Sequence, residues 1–449
     1  ATSMDYSIFL LDAFSREREK GKSDEEAMTG AIDAAINAIF ASSLTTVVGF
    51  LALVSMKFTI GFDMGLVLAK GIIFSLLTVV FLMPAVILKI SKWNEKTRHR
   101  PFLPSFGRLS RGIYKGRYAA LIIMVLVTAP AYVAQGMNDF LYGNSAVGAS
   151  EGTEVYADDE AIVAKFGRSN MLLAVYPNTS PILEKQMSDE IEDLPYVKSV
   201  TSMANTLPEG IPEEFLPYSV TSQLHTQDAC RMLIYIRTKT ESAQAFRCTD
   251  EIKGIVERYY PSDSYLVGET PSTEDIKTTI TEDNARVNAM SLLGVFLVVM
   301  FSFRSFVVPV LVMIPIEAAI FLNMAIPYLR GETMVYMGYI IVSSIQLGAT
   351  VDHAILMTTR YKEELSNGST VIEAAREAAA KSAPSIITSG LSFFAACIGV
   401  SFISKMDLIK SLCTLISRGA VISMLSILLV LPAMLIIFHK LIEKTTKGW

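Results

Sequence analysis

Eight stretches of predominantly apolar residues are each close to the length that crosses a lipid bilayer. A membrane-spanning helix needs about 20 such residues. Hydrophobic residues make up 51% of the 449-residue chain, and the mean hydropathy is +0.41, so the composition is that of a polytopic membrane helix bundle rather than a soluble protein. The eight stretches lie at residues 36–56, 62–90, 117–135, 286–303, 306–327, 335–359, 384–404 and 408–438.

Basic residues indicate which side of the membrane each loop faces. The segment from Lys89 to Arg117 carries nine Lys or Arg residues and one acid, Glu95. Because Lys and Arg concentrate in cytoplasmic loops, we expect this segment to be cytoplasmic. Counting spans from it places loops 13–35 and 91–116 and the C-terminus inside, and residues 136–285 outside the cytoplasm.

The external segment 136–285 is predicted to form an α+β domain. Strand, helix and strand follow one another twice, and two such units in succession are typical of a ferredoxin-like fold. About two acids occur for each base, which fits either a solvated surface or an acidic funnel for a substrate. The strands are predicted at Met171–Pro177, Val197–Met203, Arg231–Arg237 and Tyr265–Gly268, and the helices at Leu183–Leu194 and Ala243–Tyr259.

The four cysteines, Cys230, Cys248, Cys397 and Cys413, show neither metal-ligand spacing nor a dense disulfide pattern. Cys230 begins a predicted strand and Cys248 lies early in the next helix, so we expect the two to be roughly 20 Å apart. A disulfide needs Cα atoms within about 7 Å, and we expect none. We also expect no metal and no cofactor. No nucleophile–base constellation is evident, which argues against an enzyme.

An internal repeat is the most specific feature of the chain. ATSMDYSIFLLDAFSREREKGKSDEEAM, from residue 1, aligns without a gap with GATVDHAILMTTRYKEELSNGSTVIEAA, from residue 348, so that Asp5 matches Asp352. Duplicated halves of the same orientation imply a pseudo-two-fold axis along the membrane normal. Residues 1–14 are apolar but too short to cross, so we expect the first part of that helix, three further spans and a second external domain to lie upstream.

The two copies also share a helix-start signal. Ser23 with Glu26, and Thr370 with Glu373, form the capping-box pattern, in which an N-cap hydroxyl precedes an acid by three residues. We expect each to begin a short amphipathic helix along the cytoplasmic face that leads into the next span.

Asp5 and Asp352 are the leading candidates for chemistry. Each lies about 12–16 Å from the cytoplasmic boundary, near the middle of a hydrocarbon core about 30 Å thick. A charged carboxylate there costs several kcal/mol, and such residues are usually functional; a protonated acid or one capped by a neighbour is the alternative. The next residues, Tyr6 and His353, can also exchange protons or hydrogen bonds, although His353 also fits a neutral, hydrogen-bonded side chain.

Pseudo-symmetry predicts that these residues pair across the repeat, with Asp5 near His353 and Asp352 near Tyr6. Arg360 is expected to be an interfacial anchor and Asp12 to reach the cytoplasmic rim. Hydroxyl side chains on the following spans could extend a polar track, although such residues are also ordinary helix-packing material. They are Ser42, Ser43, Thr45 and Thr46 in the first copy, and Thr388, Ser389 and Ser392 in the second.

The motifs around Asp5 and Asp352 resemble the G-A-x-x-x-D-Y signature of the fourth and tenth helices of the MMPL family, within the resistance–nodulation–division superfamily. The resemblance covers the whole chain and implies an RND-type bundle with an inserted porter-type domain. His353 departs from the usual Tyr. The implied parts are 1–90 (helices four to six), 91–116 (cytoplasmic linker), 117–135 (helix seven), 136–285 (external domain), 286–440 (helices eight to twelve) and 441–449 (cytoplasmic tail).

The same resemblance implies export of lipids or other hydrophobic molecules driven by protons, with Asp5, Tyr6, Asp352 and His353 as a proton relay. A sterol- or lipid-sensing or scaffold protein of the same fold, and an accessory of protein export, are the alternatives. The expected partners are membrane lipid, a hydrophobic substrate, protons, the upstream half of the same protein and further copies in a homo-oligomer, but no nucleic acid.

Overall fold

The computed structural model of the protein describes residues 2–96, 106–143, 154–206 and 217–446, together with Phe215. The chain forms two compact units. One combines Ala1–Phe140 with Ile280–Trp449, and the other is Leu141–Thr279. The sequence predicted the external domain over 136–285.

The elements of the two units, in chain order, are as follows. The chain begins with α1 (Thr2–Glu19), α2 (Asp24–Ala52), α3 (Thr59–Leu77), α4 (Met83–Lys96), α5 (Gly107–Lys115), α6 (Arg117–Gln135) and β1 (Phe140–Leu141). It continues with α7 (Glu154–Phe166), β2 (Asn170–Pro177), α8 (Pro181–Glu192), β3 (Val197–Thr201), α9 (Met203–Thr206), α10 (Tyr218–Thr221), β4 (Ala229–Ile236), α11 (Ala243–Tyr259) and β5 (Tyr265–Gly268). It ends with α12 (Glu269–Phe303), α13 (Val307–Arg330), β6 (Met334–Val335), α14 (Tyr336–Ser366), α15 (Val371–Ile403), α16 (Asp407–Ile437) and α17 (His439–Thr445).

Eight helical segments of the described chain are long and apolar enough to cross a membrane, and each overlaps one predicted stretch. The buried fraction of each span distinguishes helices in the protein interior from helices that face lipid. In the span Gly338–Ser366, 94% of the most apolar window is buried, against 17% in Thr59–Ser91 and in Arg117–Gln135. The span within α14 is therefore the core of this unit, and its polar residues lie in the protein interior.

The turn between the first two helices of each repeat copy is the same. Gly21 and Gly368 both adopt positive φ, +80° and +89°. This conformation is the usual helix C-terminal turn and suits glycine because it has no Cβ. The amide of Gly21 donates to the Arg18 carbonyl at 2.9 Å, and that of Gly368 donates to the Leu365 carbonyl at 3.0 Å. The repeat thus extends to backbone geometry.

Both predicted capping boxes are present. The Ser23 hydroxyl accepts from the Glu26 amide at 3.4 Å and the Glu26 carboxylate accepts from the Ser23 amide at 3.2 Å. Thr370 and Glu373 repeat both bonds at the same distances. The helices that follow differ from the expectation, because α2 and α15 each run without a break from the cap into the span. No separate amphipathic element intervenes in either described segment, and α15 continues through Pro384, the first residue of the predicted span.

The second unit contains a four-stranded sheet of order β3-β4-β2-β5, in which all neighbouring strands are antiparallel. With α8 after the first strand and α11 after the third, this is the predicted ferredoxin-like α+β arrangement. Buried side chains from both helices, including Met187 and Ile252, pack against Leu172 and Met232 of the central strands. Cys230 and Cys248 are both buried and both carry free thiols.

Candidate functional site

Asp352 and His353 lie at the buried centre of α14. Asp352 is fully buried and His353 is 4% exposed. A carboxylate and an imidazole at this depth need polar partners, because burying an unpaired polar group costs free energy. The partners come from two other helices.

Asp352 receives a hydrogen bond from the other repeat copy. The Thr46 hydroxyl on α2 lies 3.2 Å from Oδ1 of Asp352 and 2.9 Å from the carbonyl oxygen of Gly348. The helices α2 and α14 are packed closely here: the position of a Cβ on Gly49 lies 3.5 Å from the Gly348 Cα, which is van der Waals contact. Small residues at helix crossings in membranes commonly allow such approach.

His353 contacts the next helix of its own copy. Its Nε2 lies 3.0 Å from the hydroxyl of Ser389 on α15. By the repeat offset, the counterparts of these two residues are Tyr6 and Ser42, and both are fully buried. The Asp–His segment is thus held by one hydroxyl from each half of the bundle.

The predicted cross-pairing falls partly outside the described side chains. Asp5 lies on α1, but its side chain is not among those described. The pairing of Asp5 with His353 and that of Asp352 with Tyr6 therefore stay predictions. The sequence shows one asymmetry: the counterpart of Thr46 in the second copy is Phe393, which cannot hydrogen-bond to Asp5.

The other predicted hydroxyls differ in their surroundings. Ser43 and Thr45 are buried but donate to carbonyls of their own helix, those of Ile39 and of Ala41 and Ser42. The Ser42 hydroxyl is buried, with no hydrogen-bond partner among the described residues. Thr388 is exposed and Ser392 is half-buried. The structure brings only Ser389 and Thr46 of this group to within hydrogen-bond distance of Asp352 or His353 in the described bonds.

An ion-pair cluster joins the two copies at the C-terminal ends of α1 and α14. The Arg360 guanidinium is 5% exposed and contacts the Asp12 carboxylate, so it is a buried ion-pair partner rather than the expected interfacial anchor. Arg16 lies 3.7 Å from Asp12 and 3.7 Å from Glu363. Arg16 and Glu363 occupy matching repeat positions, so their contact places α1 and α14 on opposite sides of the pseudo-two-fold axis, as predicted for the helices that carry Asp5 and Asp352.

A second polar network, which no sequence motif marks, lies among α13, α14 and α16. Asn323 donates to Gln346 at 2.9 Å, Arg418 donates to the Asn323 side chain at 2.8 Å, and Gln346 donates to Ser423 at 2.8 Å. The residue types themselves could have indicated this network, since an arginine or a carboxamide within an apolar span is costly and rare.

Glu317 is likewise an ionisable residue within an apolar span. It is half-buried and lines an apolar cavity of about 630 Å³ bordered by α6, α12 and α13.

Comparison with known proteins agrees with this architecture. The model of the MMPL family matches residues 1–113 and 176–447. The chain belongs to the MMPL family. It is accordingly a multi-pass membrane protein with an RND-type, transporter-like bundle.

Two relatives of this MMPL protein match it over part of its length. The membrane protein ActII-3 of Streptomyces coelicolor is 26% identical over 180 residues, 39% of this chain and 25% of that protein. The membrane protein MJ1562 of Methanocaldococcus jannaschii is 39% identical over 85 residues, 19% of this chain and 22% of that protein. The aligned segments thus span about a quarter of these relatives.

A solved structure shares the fold. The crystal structure of SecDF in the super-membrane-facing form superposes with a TM-score of 0.61 at 12% identity, covering 99% of this chain and 54% of the SecDF chain. At that identity the likeness concerns the fold alone.

Proposed function

We propose that this MMPL protein uses protonation of Asp352 to drive export of a lipid or another hydrophobic molecule, with Asp5, Tyr6 and His353 as further members of the relay. The observation that carries the proposal is the bond between Thr46 and Asp352, because it links a buried titratable group directly to the other repeat copy. Movement of one half against the other is the usual basis of alternating access in repeat-built transporters.

The Thr46 hydroxyl has one proton and three acceptors within reach, which are the Asp352 carboxylate, the Gly348 carbonyl and, at 3.1 Å, the Ser42 carbonyl of its own helix. When Asp352 is ionised, its charge favours donation from Thr46 to the carboxylate, since charge-assisted hydrogen bonds are the stronger ones. When Asp352 is neutral, the Gly348 carbonyl at 2.9 Å is the better acceptor. Protonation of Asp352 therefore moves the Thr46 hydrogen bond from the Asp352 side chain to the backbone of α14. The volumes of the two side chains do not change.

The class of substrate is suggested by a groove of about 1100 Å³ bordered by α2, α3 and α12. Its walls are mainly apolar, and include Phe40, Leu44 and Phe301, while Arg304 and Lys362 supply two cations at one end. Apolar walls with cations at one end suit an amphiphile that carries an acidic headgroup, because the chain is buried and the charge is paired.

The test uses protein expressed from its complete gene and reconstituted in vesicles with an NBD-labelled anionic phospholipid. Under an imposed pH gradient, we expect gradient-dependent lipid movement by the wild type and loss of it in Asp352→Asn. Asp63→Asn changes an acid on α3 that the relay does not use, and should move lipid like the wild type. Equal movement by wild type and Asp352→Asn, or movement that ignores the gradient, overturns the proposal.

Assistance of protein export is the second candidate, and the SecDF-like fold favours it. It predicts that loss of Asp352 slows the appearance of secreted proteins while lipid movement is unchanged. A sensor or scaffold predicts that neither readout depends on Asp352.

A further inference from the structure

Three side chains of different chemistry converge inside the ferredoxin-like domain. Glu184, His225 and Cys230 each present a ligand atom within 4.8 Å of the other two, and all three are buried. The Nε2 of His225 lies 2.9 Å from Oε2 of Glu184. The spacing of the cysteines along the sequence gave no sign of this cluster, because Glu184 is 41 residues from His225 in the chain.

The backbone explains how they meet. His225 and Cys230 face each other across an antiparallel bridge at the start of β4, and directly opposed residues in such a pair have Cβ atoms roughly 5 Å apart. The tight turn between them is closed by the Thr226 amide, which donates to the Ala229 carbonyl at 2.8 Å. Glu184 lies in the first turn of α8, which packs over that end of the sheet.

The surroundings bury the cluster and hold the carboxylate in place. Glu184 is 1% exposed and its Oε1 accepts from the Ala204 amide at 3.2 Å. Tyr176 pairs with Cys230 in the strand register, is 1% exposed and stacks on Tyr260 with ring centroids 4.7 Å apart. Burial, and the charge of Glu184 next to it, raise the pKa of the Tyr176 phenol, which stays neutral.

A thiolate, an imidazole and a carboxylate are the three ligand types that zinc takes in proteins. Bonds of about 2.0–2.3 Å in a tetrahedron require ligand atoms roughly 3.3–3.8 Å apart, and the cluster is within reach of that geometry. Two anionic ligands would also neutralise the ion, which removes the cost of burying charge.

We propose that Glu184, His225 and Cys230 bind one Zn²⁺ through three protein ligands, with water in the fourth position, and that this site fastens the His225–Cys230 turn to α8. A buried ion pair between Glu184 and His225 is the competing account, and in it the Cys230 thiol has no role. The two accounts therefore differ at Cys230.

The experiment uses the whole protein, purified in detergent with a tag that contains no histidine, loaded with ZnSO₄ and then dialysed. Metal analysis should find one zinc per chain in the wild type and in Cys248→Ser, which removes the other buried thiol of the same domain. Cys230→Ser and His225→Gln should retain close to none, with circular dichroism confirming that each variant is folded.

A spectroscopic arm begins with the wild-type protein and gives a result even where a variant fails to fold. Wild-type protein loaded with Co²⁺ in place of zinc should show a thiolate-to-cobalt charge-transfer band in the near ultraviolet. That band should survive in Cys248→Ser. No band in the wild type, or zinc retained equally by wild type and folded Cys230→Ser, overturns the site.

Discussion

The hydroxyl of Thr46 lies 3.2 Å from the carboxylate of Asp352, and the two residues belong to different copies of the repeat. Asp352 is fully buried at the centre of α14. A change in the charge of Asp352 therefore acts directly on a side chain of α2, which belongs to the other copy.

The first prediction concerns that contact. Thr46→Val keeps the shape of the side chain but removes its only donor, and hydrogen bonds to charged groups contribute about 1.5–3 kcal/mol. We expect gradient-driven transport to fall roughly ten- to a hundredfold. Thr46→Ser retains the hydroxyl and should keep most of the rate. Initial rates in reconstituted vesicles measure both, and equal rates for Val and Ser would contradict the role of the hydroxyl.

The second prediction concerns His353, whose ring contacts Ser389 at 3.0 Å. His353→Tyr introduces the residue found at the matching position of the first copy and replaces an imidazole by a phenol. Transport should survive better than in Asp352→Asn, with a changed dependence on pH between about 5 and 8. Transport rates measured across that pH range test both expectations. An unchanged dependence of the rate on pH would show that His353 has only a structural role.

The third prediction concerns the buried guanidinium of Arg360. Removing its partner by Asp12→Asn leaves the positive charge without its carboxylate. Asp12 is 32% exposed, so we expect about 2 kcal/mol of destabilisation, below the range for fully buried pairs. Arg16→Gln, at a side chain that is 39% exposed, should change stability by less than about 1 kcal/mol. Thermal unfolding in detergent compares them, and equal midpoints for the two variants would contradict the account.

The fourth prediction concerns the polar network on α13, α14 and α16. A Cβ at Gly419 would lie 2.4 Å from Gln346 Oε1 and 2.6 Å from Asn323 Nδ2, too close for both. Gly419→Ala should therefore cost about 1–3 kcal/mol through overpacking. Gly399→Ala, on α15, meets no atom within 4 Å and should unfold at the wild-type temperature or above it. A melting point for Gly419→Ala at or above that of Gly399→Ala would contradict the packing.

The fifth prediction concerns orientation. A cysteine introduced at Glu257, an exposed position in the ferredoxin-like domain, should react with a membrane-impermeant maleimide in intact cells. A cysteine at Lys96, exposed at the end of α4, should react only after permeabilisation, because the basic loop is expected inside. The reverse pattern would invert the topology.

Local and repeated features of the structure could be predicted from the sequence, and long-range partners could not. The capping boxes at Ser23 and Thr370 depend on residues three positions apart, and the paired strands follow from alternation over a few residues. Arg360 was misassigned because its partner, Asp12, lies 348 residues away. Thr46 is one of seven candidate hydroxyls, and only the helix crossing distinguishes it from Ser43 and Thr45, whose described bonds all stay within their own helix.

The central claim is that Asp352 takes up and releases the proton that drives this protein. Infrared difference spectroscopy of the reconstituted protein during pH cycling measures this directly, because a carboxyl group absorbs at different frequencies when neutral and when ionised. We predict a carboxyl band that titrates in the wild type, is lost in Asp352→Asn, and is displaced in Thr46→Val. A spectrum of Asp352→Asn that retains every titrating carboxyl band of the wild type would contradict the account.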